Sequence, residues 1–309
     1  LHGWVTENRT DGEAIELLCG IDEGAQDWDA LVESATWLVG VSDGEERVAA
    51  VLRLAEACAQ AGRPEDAQVS MEQTLEQNPD STVVREHLKV LYERMGAWSE
   101  LAAMTMYDVT QEEDEGERHA LLCKAGLLYL RAGNPEAGLP PLEEAVRIRP
   151  DDHDTTILLV DTLIADERYP DAGQILERAI ESHTRRRSPE LAQLQQRMAT
   201  LAERAGDRTL QMQWLNAAME SDKSNGEITA QLAYLAMELK DYDVATNALR
   251  VVTLSREEGP ISKAMAFLLQ AKIAYEKGET RRALLWARKA KSLDQDLAEA
   301  DAFLSQLGG

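Results

Sequence analysis

Apolar and small residues in this chain fall into short stripes at helical spacing, and each stripe is broken by a polar turn at a nearly constant interval. Turns are placed at Gln26, Gly62, Gly96, Gly133, Glu167, Gly206, Lys240 and Gly278, between 34 and 39 residues apart, with the interval of 34 occurring three times. The longer intervals put their extra residues between units, as at Arg185-Arg186-Arg187-Ser188-Pro189, so the underlying unit is 34 residues. Ahead of the turns stand Leu54-Ala55, Ala125-Gly126, Met198-Ala199 and Leu232-Ala233, the packing stripe of a first helix. Behind them come Ala67, Ala172, Ala245 and Ala283, then Ala145, Ala179, Ala218 and Ala290. Small residues at those points let two antiparallel helices approach closely. Pro79 and Pro150 close two of the units where a helix must stop.

Self-similarity at this period is the mark of a helical repeat array. The sequence resembles the tetratricopeptide repeat, most closely in Leu54-Ala55-x2-Cys58-x3-Gly62-x4-Ala67-x3-Met71-x7-Pro79. Ala125-Gly126, Tyr129, Gly133, Leu142, Ala145 and Pro150 give a second good match. The resemblance implies an all-α, right-handed superhelical solenoid of about eight antiparallel helix-pair repeats, forming one domain over 1–309. Its units run about 12–45, 48–81, 82–115, 119–152, 153–186, 192–225, 226–259 and 264–297, and a polar-faced helix at 298–307 caps the end.

Several units depart from the pattern. Leu31 and Leu101 stand where Ala is expected, each three residues after a Trp, which should widen the helix pair. Asp22 replaces the usual aromatic of the first unit, and Gly24 sits where a helix former is expected. Pro140-Pro141 fall inside a second helix, which predicts a kink or a late helix start.

Charge narrows the class of partner. Of the formal charge of −24, residues 1–116 carry 26 acidic and 7 basic side chains, so the amino-terminal third is the acidic end. That sign disfavours nucleic acid and anionic lipid and complements a basic protein, although it also serves solubility alone. Cys19, Cys58 and Cys123 have neither disulfide-framework nor zinc spacing, which fits a reducing, cytoplasmic setting. No run of about 18 apolar residues suggests direct insertion into a membrane. The chain opens at Leu1, which suggests a processed or excised piece, and the excess of Arg over Lys, 23 against 9, hints at a bacterial, GC-rich gene.

The resemblance implies that the first helices line a concave groove that binds a peptide or a partner helix. The positions left free by the packing stripe are Arg53 and Glu56, Glu86, Glu93 and Arg94, Lys124 and Arg131, Asp161, Arg197 and Arg204, Tyr234, and Lys272. Gln231 and Tyr275 join them, with apolar company from Leu127, Ile157 and Ile164. Each of these can equally be an ordinary solvated helix face. The Lys, Asn and Arg set by which one subgroup of the family grips a terminal carboxylate lacks its Asn members here.

Chemistry of other kinds finds little support. His2, His87, His119, His153 and His183 are scattered, the acidic pairs follow from composition, and no glycine-rich phosphate loop occurs. No catalytic, metal or cofactor residue is therefore assigned. Trp28 and Trp98 recur in one phase and Trp214 and Trp286 in another, which favours packing, while Trp4 stays open. The runs Glu112-Glu113-Asp114-Glu115 and Arg185-Arg186-Arg187 are solvated linkers or docking points. The leading expectation is a non-catalytic scaffold or adaptor. A substrate-recruiting segment of a larger enzyme, or a self-assembling structural protein, stands as the alternative.

Overall fold

The computed structural model describes every residue except Leu1, Arg9, Arg186, Glu258 and Gly309, together with the side chain of His2. Among the described residues the regular structure is helical throughout, with no strand. The chain divides into two compact units, Leu1–Ile148 and Arg149–Gly309.

In the first unit a short α1 (His2–Glu7) precedes four helix pairs. They are α2 (Gly12–Ala25) with α3 (Trp28–Val41), α4 (Gly44–Gln60) with α5 (Gln68–Gln77), α6 (Thr82–Met95) with α7 (Trp98–Gln111), and α8 (Glu115–Arg131) with α9 (Pro135–Ile148). The second unit pairs α10 (His153–Ala165) with α11 (Tyr169–Ser182), α12 (Pro189–Arg204) with α13 (Arg208–Ser221), α14 (Gly226–Glu238) with α15 (Tyr242–Leu254), and α16 (Lys263–Glu276) with α17 (Thr280–Leu293). It ends in α18 (Ala298–Gln306), the expected cap. Phe303 of α18 meets the Tyr275 ring edge-on, with centroids 5.9 Å apart, and so covers the apolar end of the last pair.

Each pair is joined by the same chemical device. The backbone at Gln26, Gly62, Gly96, Gly133, Glu167, Gly206, Lys240 and Gly278 is left-handed, with φ between 56° and 78°. The amide of the residue after each one donates to a carbonyl of the first helix at 2.8–3.0 Å, as in Arg63 N to Cys58 O and Asp241 N to Ala236 O. This cap satisfies carbonyls that the helix end leaves without partners and reverses the chain in a few residues. The new helix is then capped in turn: Asp27, Asp207 and Asp241 accept the amides of Ala30, Leu210 and Val244 at 3.2, 2.9 and 3.1 Å.

The small residues lie between the helices of each pair. Ala67, Ala172, Ala245 and Ala283 are buried, as are Ala145, Ala218 and Ala290, whereas Ala179 is half-buried. A close approach joins α8 to α9, where a β-carbon on Gly126 would stand 2.6 Å from Leu142 Cγ and one on Gly138 would stand 3.2 Å from the Gly126 carbonyl oxygen. Pro140 and Pro141 do not delay α9, which starts at Pro135 and continues to Ile148. Their missing amides deprive only the carbonyls of Glu136 and Ala137, while Leu139, Pro141, Leu142 and Ala145 hold the buried face in place.

Two features of the amino-terminal end were not readable from the repeat. Val5 of α1 is fully buried in the first unit's core. Asp22, the departure from an aromatic, is buried and accepts the Ser34 hydroxyl at 2.8 Å, a polar tie between α2 and α3 in place of ring packing. Ser34→Ala is expected to destabilise the first unit by about 1 kcal/mol, because it leaves the buried carboxylate short of a partner. Urea denaturation followed by circular dichroism measures this, and an unchanged midpoint would mean that the bond contributes nothing.

Candidate functional site

Side chains on the outward face of the first helices were the candidates, and the structure divides them into two groups. Several are engaged with a neighbouring element. Arg53 forms an ion pair with Glu23 of α2 and borders an open cavity of about 1040 Å³ that Trp4 also lines. Asp161 takes both arms of Arg197, at 3.0 and 2.9 Å, from α10 to α12. Lys272 holds Glu299 of the cap at 3.0 Å. Arg131 lies 3.6 Å above the Trp98 ring. Exposed positions on successive first helices are within reach of each other, so opposite charges pair across the repeat. Such pairs are each worth about 0–1 kcal/mol at a surface.

The remaining candidates face solvent. Glu93, Lys124 and Arg204 are exposed. Glu56, Glu86 and Arg94 converge on an open furrow of about 420 Å³ between α4 and α6. Glu56 there accepts Gln60 Nε2 at 2.8 Å, and Glu86 accepts Lys89 Nζ at 2.8 Å. The floor is Met71 of the second helix and Ala67 immediately before it, and Val90, about half exposed, stands on the wall.

A second furrow, of about 400 Å³, lies between α12 and α14 and brings in Tyr234. Its lining matches the first position for position when counted from the turns. Leu52, Ala55, Glu56 and Ala59 before Gly62 correspond to Gln196, Ala199, Thr200 and Glu203 before Gly206. Ala67 and Met71 on the floor correspond to Gln211 and Leu215. Val90 corresponds to Tyr234, which is 51% exposed, and Arg94 to Glu238. Sequence reasoning missed Val90, Glu203, Gln211 and Glu238; their position relative to the turn was the sign available.

The other sequence features resolve into structure. Trp28, Trp37 and Trp98 pack against the first core, and Trp214 and Trp286 against cores of the second unit. In the acidic run, Asp114 caps α8 by accepting the amides of Gly116 and Glu117 at 2.8 and 2.9 Å. Of the basic run, Arg186 lies outside the described residues. His119 is buried one turn from Cys123, with Nε2 and Sγ 3.7 Å apart. Burial pushes the Cys58 thiol up to about 11, so it is inert at neutral pH. Among the described residues, no helix is long and apolar enough to cross a membrane.

Eight helix pairs closed by one recurring turn define an α-helical repeat protein. The sequence profile of the Tetratricopeptide repeat family matches residues 129–198. The match covers less than a quarter of the chain, and the left-handed turns and helix pairs of that stretch recur through both units. Solved structures similar to it include a tetratricopeptide repeat protein from Parabacteroides merdae, 16% identical, with 84% of this chain and 98% of that one covered and a TM-score of 0.39. Pseudomonas aeruginosa PilF is 14% identical, with 85% and 98% covered and a TM-score of 0.41. YrrB, described as a TPR protein with an unusual peptide-binding site, is 16% identical, with 63% and 95% covered and a TM-score of 0.43. No curated protein sequence matches the chain significantly.

Proposed function

We propose that this chain is a non-catalytic scaffold that binds a protein partner, as an extended peptide or a helix, along the outward face of its first helices. One observation carries the reading: each unit holds an open furrow at the same register, walled by two consecutive first helices and floored by the second helix between them. A half-exposed apolar or aromatic side chain, Val90 or Tyr234, stands at the same point of each wall. A groove of that kind accepts alternate side chains of a segment laid across it, with the polar rim fixing its direction. The acidic balance of the first unit favours a basic partner.

The test is photo-crosslinking in native lysate, with a crosslinking residue at Val90 or Tyr234 and, as controls, at Val69 or Leu254. The controls are 60% and 71% exposed and stand on second helices. Adducts to a common protein from the first two sites and none from the controls are expected. Adducts formed from Val69 and Leu254 alone would place the partner on the opposite face and overturn the reading.

A further inference from the structure

The two furrows differ at their floors as well as on their walls. Position five after the turn carries Ala67, Ala172, Ala245 and Ala283 in four repeats, all buried, and Gly138 in a fifth. In the furrow of the second unit that position is Gln211. Its Oε1 is buried and has no hydrogen-bond partner; among the described residues it is the one side-chain polar atom so left. An unsatisfied buried acceptor destabilises a fold, and an alanine there would cost nothing in polar burial. Gln211 as a residue is only partly buried and lines the furrow, so a turn of its terminal amide brings this oxygen to the furrow, where a ligand's donor can meet it.

The rest of the lining says which donor. Tyr234 offers an exposed ring face on one wall. Glu203 stands on the other with no ion pair recorded among the described residues. Glu238 is already engaged by Arg208 at the rim, so the furrow keeps one uncompensated negative charge. A volume of about 400 Å³ admits one long side chain. A group that is flat, cationic and rich in N–H donors satisfies all three demands together: it stacks on the ring, donates to Gln211 and pairs with Glu203. The ammonium of lysine is a point charge with no face to stack, and an apolar side chain leaves Gln211 unpaired. The matching furrow in the first unit has Ala67 and Met71 as its floor and Val90 on its wall, and suits an apolar side chain.

Resting on the proposed use of these furrows, we infer that the one between α12 and α14 is a specificity pocket for an arginine side chain of the bound protein, with Gln211 as the floor acceptor. The full chain is panned against a phage-displayed random peptide library, and selected peptides are titrated by fluorescence anisotropy. Peptides with an arginine at one fixed position are expected, losing at least tenfold in affinity when it is replaced by alanine and several-fold when replaced by lysine. Gln211→Ala should weaken the same peptides about tenfold, while its melting temperature stays level or rises, as a merely structural glutamine would not allow. Gln211→Glu, which keeps the acceptor and adds charge, should bind them at least as tightly as the parent. Peptides selected without arginine, or arginine peptides indifferent to both Gln211 variants, overturn this inference. If such peptides are still lost on Tyr234→Ala or Val90→Arg, the broader reading of the furrows stands. A library that yields no binder at all overturns both.

Discussion

Gly126→Val is expected to destabilise the first unit by about 3 kcal/mol, the upper end of what overpacking a tight core costs. The side chain has nowhere to go: the first carbon it adds would stand 2.6 Å from Leu142 Cγ and 2.7 Å from Leu142 Cδ2. Leu142 is fully buried, so it cannot swing into solvent to make room. Retreat of the facing helix would open the backbone contact at Gly138, where an added β-carbon would stand only 3.2 Å from the Gly126 carbonyl oxygen. Gly126→Ala should cost less, since the helical preference of alanine over glycine returns about 1 kcal/mol. The measurement is a urea unfolding curve with its slope unchanged and its midpoint lowered. Leu142→Ala should be cheaper in the Gly126→Val background than alone, because the two substitutions relieve one another. A shift below about 0.5 kcal/mol for Gly126→Val would mean that α8 and α9 do not approach as closely as their glycines permit.

How far the sequence revealed this molecule depends on which residues repeat. The pairing of helices was legible because turn and small-residue positions share one phase, and a phase survives even where the residue type does not. Gln26, Glu167 and Lys240 were assigned to turns by interval alone, and the backbone is left-handed at each of them. The helix through Pro140-Pro141 shows the opposite case: local propensity argued for a late start, and packing of Leu139 and Leu142 overrode it. Helix α1 belongs to no repeat and gave no phase to read. Asp161 and Arg197 sit on helices of adjacent repeats, and whether two such side chains meet depends on their reach across the groove between helices. Gln211 gives no signal in the sequence because it stands where four other repeats carry alanine, and only its place in the furrow gives that departure meaning.

Replacing Gln26, Glu167 and Lys240 together by glycine is expected to raise stability by about 2 kcal/mol. The reason lies in the backbone. At φ of 56°, 59° and 59° the β-carbon of each residue crowds its own carbonyl oxygen, a strain of about 1–2 kcal/mol per residue that glycine escapes. Glycine gives back part of this, about 0.4–1 kcal/mol each, through the larger freedom of the unfolded chain. The net is therefore somewhat under 1 kcal/mol per turn, and the three turns are far enough apart to add. All three side chains are exposed, with no side-chain hydrogen bond or ion pair recorded among the described residues, so little native contact is lost. The hydrogen bonds that close the turns come from the backbone, through Asp27, Arg168 and Asp241 amides to Asp22, Leu163 and Ala236 carbonyls, and survive the change. Differential scanning calorimetry should show higher melting for the triple variant and lower melting for the reverse changes Gly62→Ala and Gly206→Ala. If the triple variant melts at or below the parent temperature, the left-handed residues are held by side-chain contacts, and the turn is not the strained, backbone-driven element that sets the period of this repeat.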